Sequence, residues 1–214
     1  MGLSADVKAA IREDIVSGAL PFGGRLRIDA LAARYGASHM PIREALRELA
    51  GEGLVVLVAN RGARTRAIDR DFVRSLFEMR QAVEVMLTRR AAERLDAAAL
   101  DGLRAIEAER EGHAAAGAFD AAVKANARFH QAIYAAAGNA EALALADRHW
   151  LLLAALWRRV GHSPGRFAGV ANDHAHILQA LASRDAEAAG VLMAAHVTKA
   201  RQALEESLGA GFPG

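Results

Sequence analysis

Apolar residues recur at helical spacing along nearly the whole chain, and the pattern breaks once, at residues 54–67. There Leu54-Val55-Val56-Leu57-Val58 forms a β-branched run, Ala59-Asn60-Arg61-Gly62 interrupts it, and 63–67 complete a two-stranded hairpin. Three short helices precede it. The first covers about 6–17, with Val7, Ala10, Ile11 and Ile15 on one face and Gly18 ending it. After the turn-rich Leu20-Pro21-Phe22-Gly23-Gly24 comes a second at 29–35, with Leu31 and Tyr35 inward and Gly36 as its stop. Ser38 is placed to cap a third, which carries Pro41 in its first turn and runs to Gly51. Three small helices and a hairpin are the plan of a winged helix-turn-helix. Behind it, Asp69 caps a helix reaching about Leu95, followed by helices at 96–115, 118–136, 139–160, 164–183 and 185–208, with short loops marked by Gly or Pro. The expected fold is mainly α: residues 1–67 a winged helix, and 68–214 an all-α bundle of six or seven helices, depending on breaks near Gly138 and Gly161.

Composition narrows the function classes. There is no cysteine, which excludes disulfides and thiolate zinc sites. The most apolar stretch, 150–157, is flanked by Arg148, His149, Arg158 and Arg159 and is too short to cross a bilayer. Met1-Gly2-Leu3-Ser4 lacks the regions of a signal peptide, so a soluble cytoplasmic protein with no membrane partner is expected. Up to Ile68 there are ten Lys/Arg against seven Asp/Glu, and seventeen against eighteen beyond it, a mild basic bias that permits phosphate binding at the front.

On the third helix Ile42, Ala45, Leu46 and Leu49 share the inner face, while Met40, Arg43 and Arg47 project from the other. Two arginines one turn apart can reach a guanine edge and a phosphate from the major groove. At the hairpin tip, Arg61-Gly62 lets backbone approach a phosphate or the minor groove. The alternative is a solvated face in which these arginines pair with Glu44 and Glu48.

The rear helices carry polar residues where the pattern calls for apolar ones. Asn126 and His130 lie on the face of Phe119, Val123, Ile133 and Ala137; His174 lies with Val170, Ile177, Leu178 and Leu181; His196 lies with Leu192, Met193 and Ala200. Buried imidazoles need partners, and a shared divalent metal would supply one. A lone histidine on an apolar face is more often a core residue bonded to backbone. His149, beside Leu145, Leu152 and Leu156, is read that way. Arg80 sits among Phe72, Leu76, Val83 and Leu87, and its guanidinium needs an anion there. Glu84, one turn along, or the carboxylate of a bound effector would serve.

Two resemblances sharpen this. Ser17-Gly18-Ala19-Leu20, then the run Leu31-Ala32-Ala33-Arg34-Tyr35-Gly36-Ala37-Ser38, then Pro41-Ile42-Arg43-Glu44-Ala45-Leu46-Arg47, Glu52-Gly53-Leu54-Val55 and Asn60-Arg61-Gly62 resemble the DNA-binding domain of the GntR family. The resemblance implies that Ser38, His39, Arg43, Arg47, Arg61 and Gly62 contact an operator. His39 departs from the arginine usual there and cannot form its bidentate fork. Asn126-x-x-Phe129-His130-x-x-Ile133, Asp173-His174-x-x-Ile177-Leu178-x-Ala180-Leu181, Arg184-Asp185-Ala186-Glu187-Ala188-Ala189 and Ala195-His196-Val197 resemble the FCD domain of the FadR subfamily. That implies a divalent metal, zinc or nickel, held by Asn126, His130, His174 and His196, and relatives in which organic acids bind near the metal are consistent with Arg80 as the clamp for an effector carboxylate. Asn126 stands where aspartate is usual, and a carboxamide oxygen is the weaker donor.

The expected function is a homodimeric repressor released from double-stranded DNA by a small organic acid. Sugar acids, dicarboxylates, lactate-like acids and aromatic acids are all compatible. The alternatives are a metalloenzyme or a direct metal sensor built on the bundle. The enzyme lacks an obvious general base, because Asp120 and Asp173 are expected to face outward.

Overall fold

The computed structural model describes residues 3–58, 62–160 and 164–209. Among them the chain forms, in order, α1 (Leu3–Ser17), β1 (Arg25–Leu26), α2 (Ile28–Tyr35), α3 (His39–Gly51), β2 (Val55–Val58), β3 (Gly62–Thr65), α4 (Arg70–Arg94), α5 (Ala97–Ala115), α6 (Phe119–Ala136), α7 (Ala140–Val160), α8 (Pro164–Ala182) and α9 (Ala186–Leu208). The chain is mainly helical, with a winged helix first and, among the described residues, six helices after it.

The expected hairpin is the outer part of a three-stranded antiparallel sheet in the order β1-β3-β2. Val55 faces Thr65 and Val58 faces Gly62 across one edge of β3, and Arg25 and Leu26 face Arg64 and Ala63 across the other. Two residues are too few to display a period of two, so β1 leaves no sequence signal. Two glycines supply left-handed backbone. Gly36 (φ 60°) closes α2 by donating its N–H to Ala32 O, and Gly62 (φ +87°) opens β3.

Contacts divide the chain into two units: Met1–Asp69 with Leu151–Arg159, and Arg70–Trp150 with Val160–Phe212. In the first, Val7, Ile11 and Ile15 of α1 are buried with Leu31 of α2, Ile42, Ala45, Leu46 and Leu49 of α3, and Leu54. Leu152, Leu153, Leu156 and Trp157 of α7 are buried as well, and Arg158 reaches Glu13 at 2.6 Å. Trp150, Leu152, Leu153, Ala155, Leu156 and Trp157 of the apolar stretch are therefore buried within one chain.

In the second unit α4 packs along α9, α5 along α6 and α8, and α8 along α9, so α4, α5, α6, α8 and α9 surround one core. Asp96 and Asp185 cap α5 and α9, accepting the N–H of Ala99 at 2.8 Å and of Ala188 at 2.9 Å. Among the described residues no helix is long and apolar enough to cross a membrane.

Candidate functional sites

The buried stripe of α3 seats its opposite face outward, and Ser38, His39, Met40, Arg43 and Arg47 are all exposed. Ser38 holds the N-cap position in extended backbone, but its side chain makes no capping bond. His39 Nε2 lies 3.3 Å from Asp29 Oδ1 on α2. Among the described residues neither arginine pairs with Glu44 or Glu48, and Glu48 is engaged by Lys8 of α1. The self-paired face weighed for Arg43 and Arg47 does not form. Gly62 is exposed at the start of β3, and Arg61 lies outside the described residues.

The helical spacing in the second unit brings the three predicted histidines together. His130, His174 and His196 are all buried, and their candidate ligand atoms lie within 4.8 Å of one another. Ring centroids are 5.2 Å apart for His130 and His174, 5.1 Å for His130 and His196, and 5.0 Å for His174 and His196. These are not core rings satisfied by main-chain oxygens. Each Nδ1 meets a side chain: Tyr134 Oη at 3.0 Å from His130, Glu107 Oε2 at 2.6 Å from His174, and Asp173 Oδ2 at 3.2 Å from His196.

Those partners set the tautomers. Tyr134 must donate its hydroxyl to the carboxylate of Glu84 (2.7 Å), so its oxygen is left to accept from His130 Nδ1–H. Neutral His130 then carries its lone pair on Nε2. Burial, reinforced by the neighbouring imidazoles, holds the His130 ring well below the usual histidine range. It holds His174 down to about 4 even though Glu107 pulls the other way. Nε2 of both rings is buried without a hydrogen-bond partner, and so is Oδ1 of Asn126, one turn before His130. Hydrogen bonds that pin Nδ1 and leave Nε2 open orient imidazoles to hold an ion.

Arg80 is 1% exposed and forms a two-pronged pair with Glu84, Nε to Oε1 at 2.6 Å and Nη2 to Oε2 at 3.1 Å. The structural ion pair considered from the sequence thus exists, and Nη1 still has no partner. The guanidinium lies 4.9 Å from the Phe77 ring and 5.0 Å from Trp150. It is joined to the histidines through Glu84 and Tyr134.

Four participants escaped the sequence reading. Asp173 was expected to face outward, yet α9 covers that flank of α8. Although burial opposes it, hydrogen bonds from His196 and Lys199 draw its carboxyl down to about 2. Glu107 and Arg110 of α5 are buried, joined Oε1 to Nε at 2.8 Å, with Arg110 Nη1 unpartnered. Their spacing with Leu103 on one helical face was the available signal. Tyr134, one turn after His130, offered the same one. A surface depression of about 140 Å³, lined by Val170, Asp173, His196 and Lys199 among others, opens beside the triangle.

A winged helix with an outward basic helix, joined in one chain to a helical bundle holding a histidine triangle, is the plan of a two-domain DNA-binding regulator. Residues 3–64 match the family described as "Bacterial regulatory proteins, gntR family" and residues 75–199 the "FCD domain". The chain belongs to the GntR family of transcription regulators and carries an FCD domain; its matches are regulators, not enzymes. It is 31% identical over 200 residues to the "Probable D-xylose utilization operon transcriptional repressor" of Paenarthrobacter nicotinovorans, covering 91% of this chain and 85% of the relative. It is 27% identical over 201 residues to the transcriptional repressor GlaR of Escherichia coli, covering 87% and 89%. Among solved structures, E. coli McbR/YncC superposes with a TM-score of 0.80 over 98% of this chain and 100% of that one, at 19% identity, a likeness of fold.

Proposed function

We propose that this regulator is a dimeric repressor whose second domain, residues 68–214, binds a small organic acid on a metal ion, and whose first, residues 1–67, then releases its operator. The supporting observation is the set of buried polar atoms left without partners. Asn126 Oδ1 and the Nε2 atoms of His130 and His174 are acceptors and call for a cation, whereas Arg80 Nη1 is a donor and calls for an anion. Buried polar groups in native proteins are rarely left unmatched. A metal alone would satisfy the first set, and an acid alone the second. A metal-anchored acid satisfies both.

In this reading His130, His174, His196 and Asn126 hold zinc or nickel, which as a Lewis acid supplies a docking point for a carboxylate. Arg80 presents Nη1 to the same acid while Glu84 keeps its charge balanced. In the first domain Arg43 and Arg47 reach base edges and phosphates in the major groove, with Ser38, His39, Arg61 and Gly62 on the flanks. Two chains set two such readers on half-sites one turn of DNA apart. The assignment as a repressor follows the names of the relatives above.

The test is a thermal-shift screen of the metal-loaded protein against organic acids, followed by operator binding with each hit. A stabilising acid that weakens operator binding only when metal is present supports the proposal. Equal stabilisation after chelation counts against the metal, and response to metal with no acid counts for a direct metal sensor.

A further inference from the structure

The charge balance around the histidine triangle is unusual, and it bears on which acid the site takes. Every carboxylate next to the histidines already faces a cation of the protein: Glu84 faces Arg80, Glu107 faces Arg110, and Asp173 faces Lys199. The triangle itself is three imidazoles, and one turn before His130 the buried Oδ1 of the Asn126 carboxamide has no partner; as ion ligands all four are neutral donors. A divalent ion placed there brings two positive charges into a buried pocket that holds no spare negative charge. Leaving such charge uncompensated away from water is expensive. Two guanidinium donors add to the demand. Arg80 Nη1 and Arg110 Nη1 are both buried with no acceptor; Arg110 is linked to His174 through Glu107, and Arg80 to His130 through Glu84 and Tyr134.

We infer that the acid this site selects is a dianion, a dicarboxylate rather than a monocarboxylate, and that the neutral side chain of Asn126 sets this preference. The inference rests on the metal-anchored reading above and names its ligand class. One carboxylate lies against the ion and supplies the anionic donor that the protein omits. The second meets a guanidinium donor. Replacing Asn126 by aspartate puts one of those negative charges back into the protein without changing the size of the side chain, so an acid of lower charge should then suffice.

The experiment uses the full chain loaded with nickel, titrated calorimetrically with three pairs of equal carbon number: malonate and propionate, succinate and butyrate, glutarate and valerate. In the natural protein at least one dicarboxylate is expected to bind at least tenfold more tightly than its partner. In Asn126→Asp that advantage should shrink by at least tenfold, while nickel without acid binds more tightly than before. Monocarboxylates binding as well as dicarboxylates in all three pairs overturn the inference and leave the metal-anchored reading standing. An undiminished preference in Asn126→Asp overturns the role of Asn126. Nickel bound together with none of the six acids overturns this inference, while the acid-sensing reading falls only if the wider screen of organic acids also finds none. The comparison in the natural protein needs no variant, so it decides the ligand class even if Asn126→Asp fails to fold.

Discussion

Glu84 is the residue on which most of the buried network converges, because its two oxygens take both prongs of Arg80 and the hydroxyl of Tyr134. Removing its charge leaves a guanidinium buried without a counterion, so Glu84→Gln should lower the unfolding free energy by about 3–5 kcal/mol in a denaturant titration. The histidines make a second, pH-dependent prediction. His130 and His174 are held neutral by burial, so their folded pKa lies below the unfolded value of 6.5. The unfolded chain therefore binds more protons as pH falls. The stability of the metal-free protein should be whole above pH 6.5 and decline as pH drops through the window toward about 4, where His174 titrates. The slope is about 1.4 kcal/mol per pH unit for each ring. Melting curves from pH 7.5 to 4.5 should show the decline, and a flat profile would mean that the rings are solvated. His174→Ala should bind less nickel in equilibrium dialysis; unchanged stoichiometry would remove this ring from the site. The inward positions of the three histidines were legible from apolar spacing alone. Asp173 was not, because its environment comes from His196 and Lys199 of α9, and the spacing within α8 does not encode how the next helix packs against it.

On the scale of elements, α3 separates its duties by face. The buried stripe carries the packing, so Arg43→Ala should leave the fold intact. It should weaken specific operator binding by about 1–3 kcal/mol, as measured by fluorescence anisotropy on operator DNA. An equal loss on random DNA would demote Arg43 to a phosphate contact. His39 is exposed and approaches Asp29, so His39→Arg, which adds a permanent positive charge to the outward face, should steepen the dependence of log affinity on log salt by about one unit. The hairpin was readable from its β-branched run, but β1 was not, since Leu26 is recruited only once β3 is in place beside it.

For the whole molecule the proposal links an acid in one domain to DNA affinity in the other, and such coupling is bounded by how well the acid discriminates between two states. Operator affinity should fall about 5–150-fold at saturating acid, the usual size of a coupling of this kind, and chelation should abolish the change. Light scattering behind a sizing column should report two chains, and one chain bound to a full palindrome would contradict the half-site arrangement. The amino-acid sequence by itself determined the order of helices, the single hairpin, the outward arginines of α3 and the inward histidines, because each depends on periodicity within about twenty residues. Tertiary structure alone decided which partners those groups meet. Glu107 beside His174, Asp173 beside His196 and Tyr134 between Glu84 and His130 join residues up to 67 positions apart. No local pattern encodes contacts made only when separate helices pack.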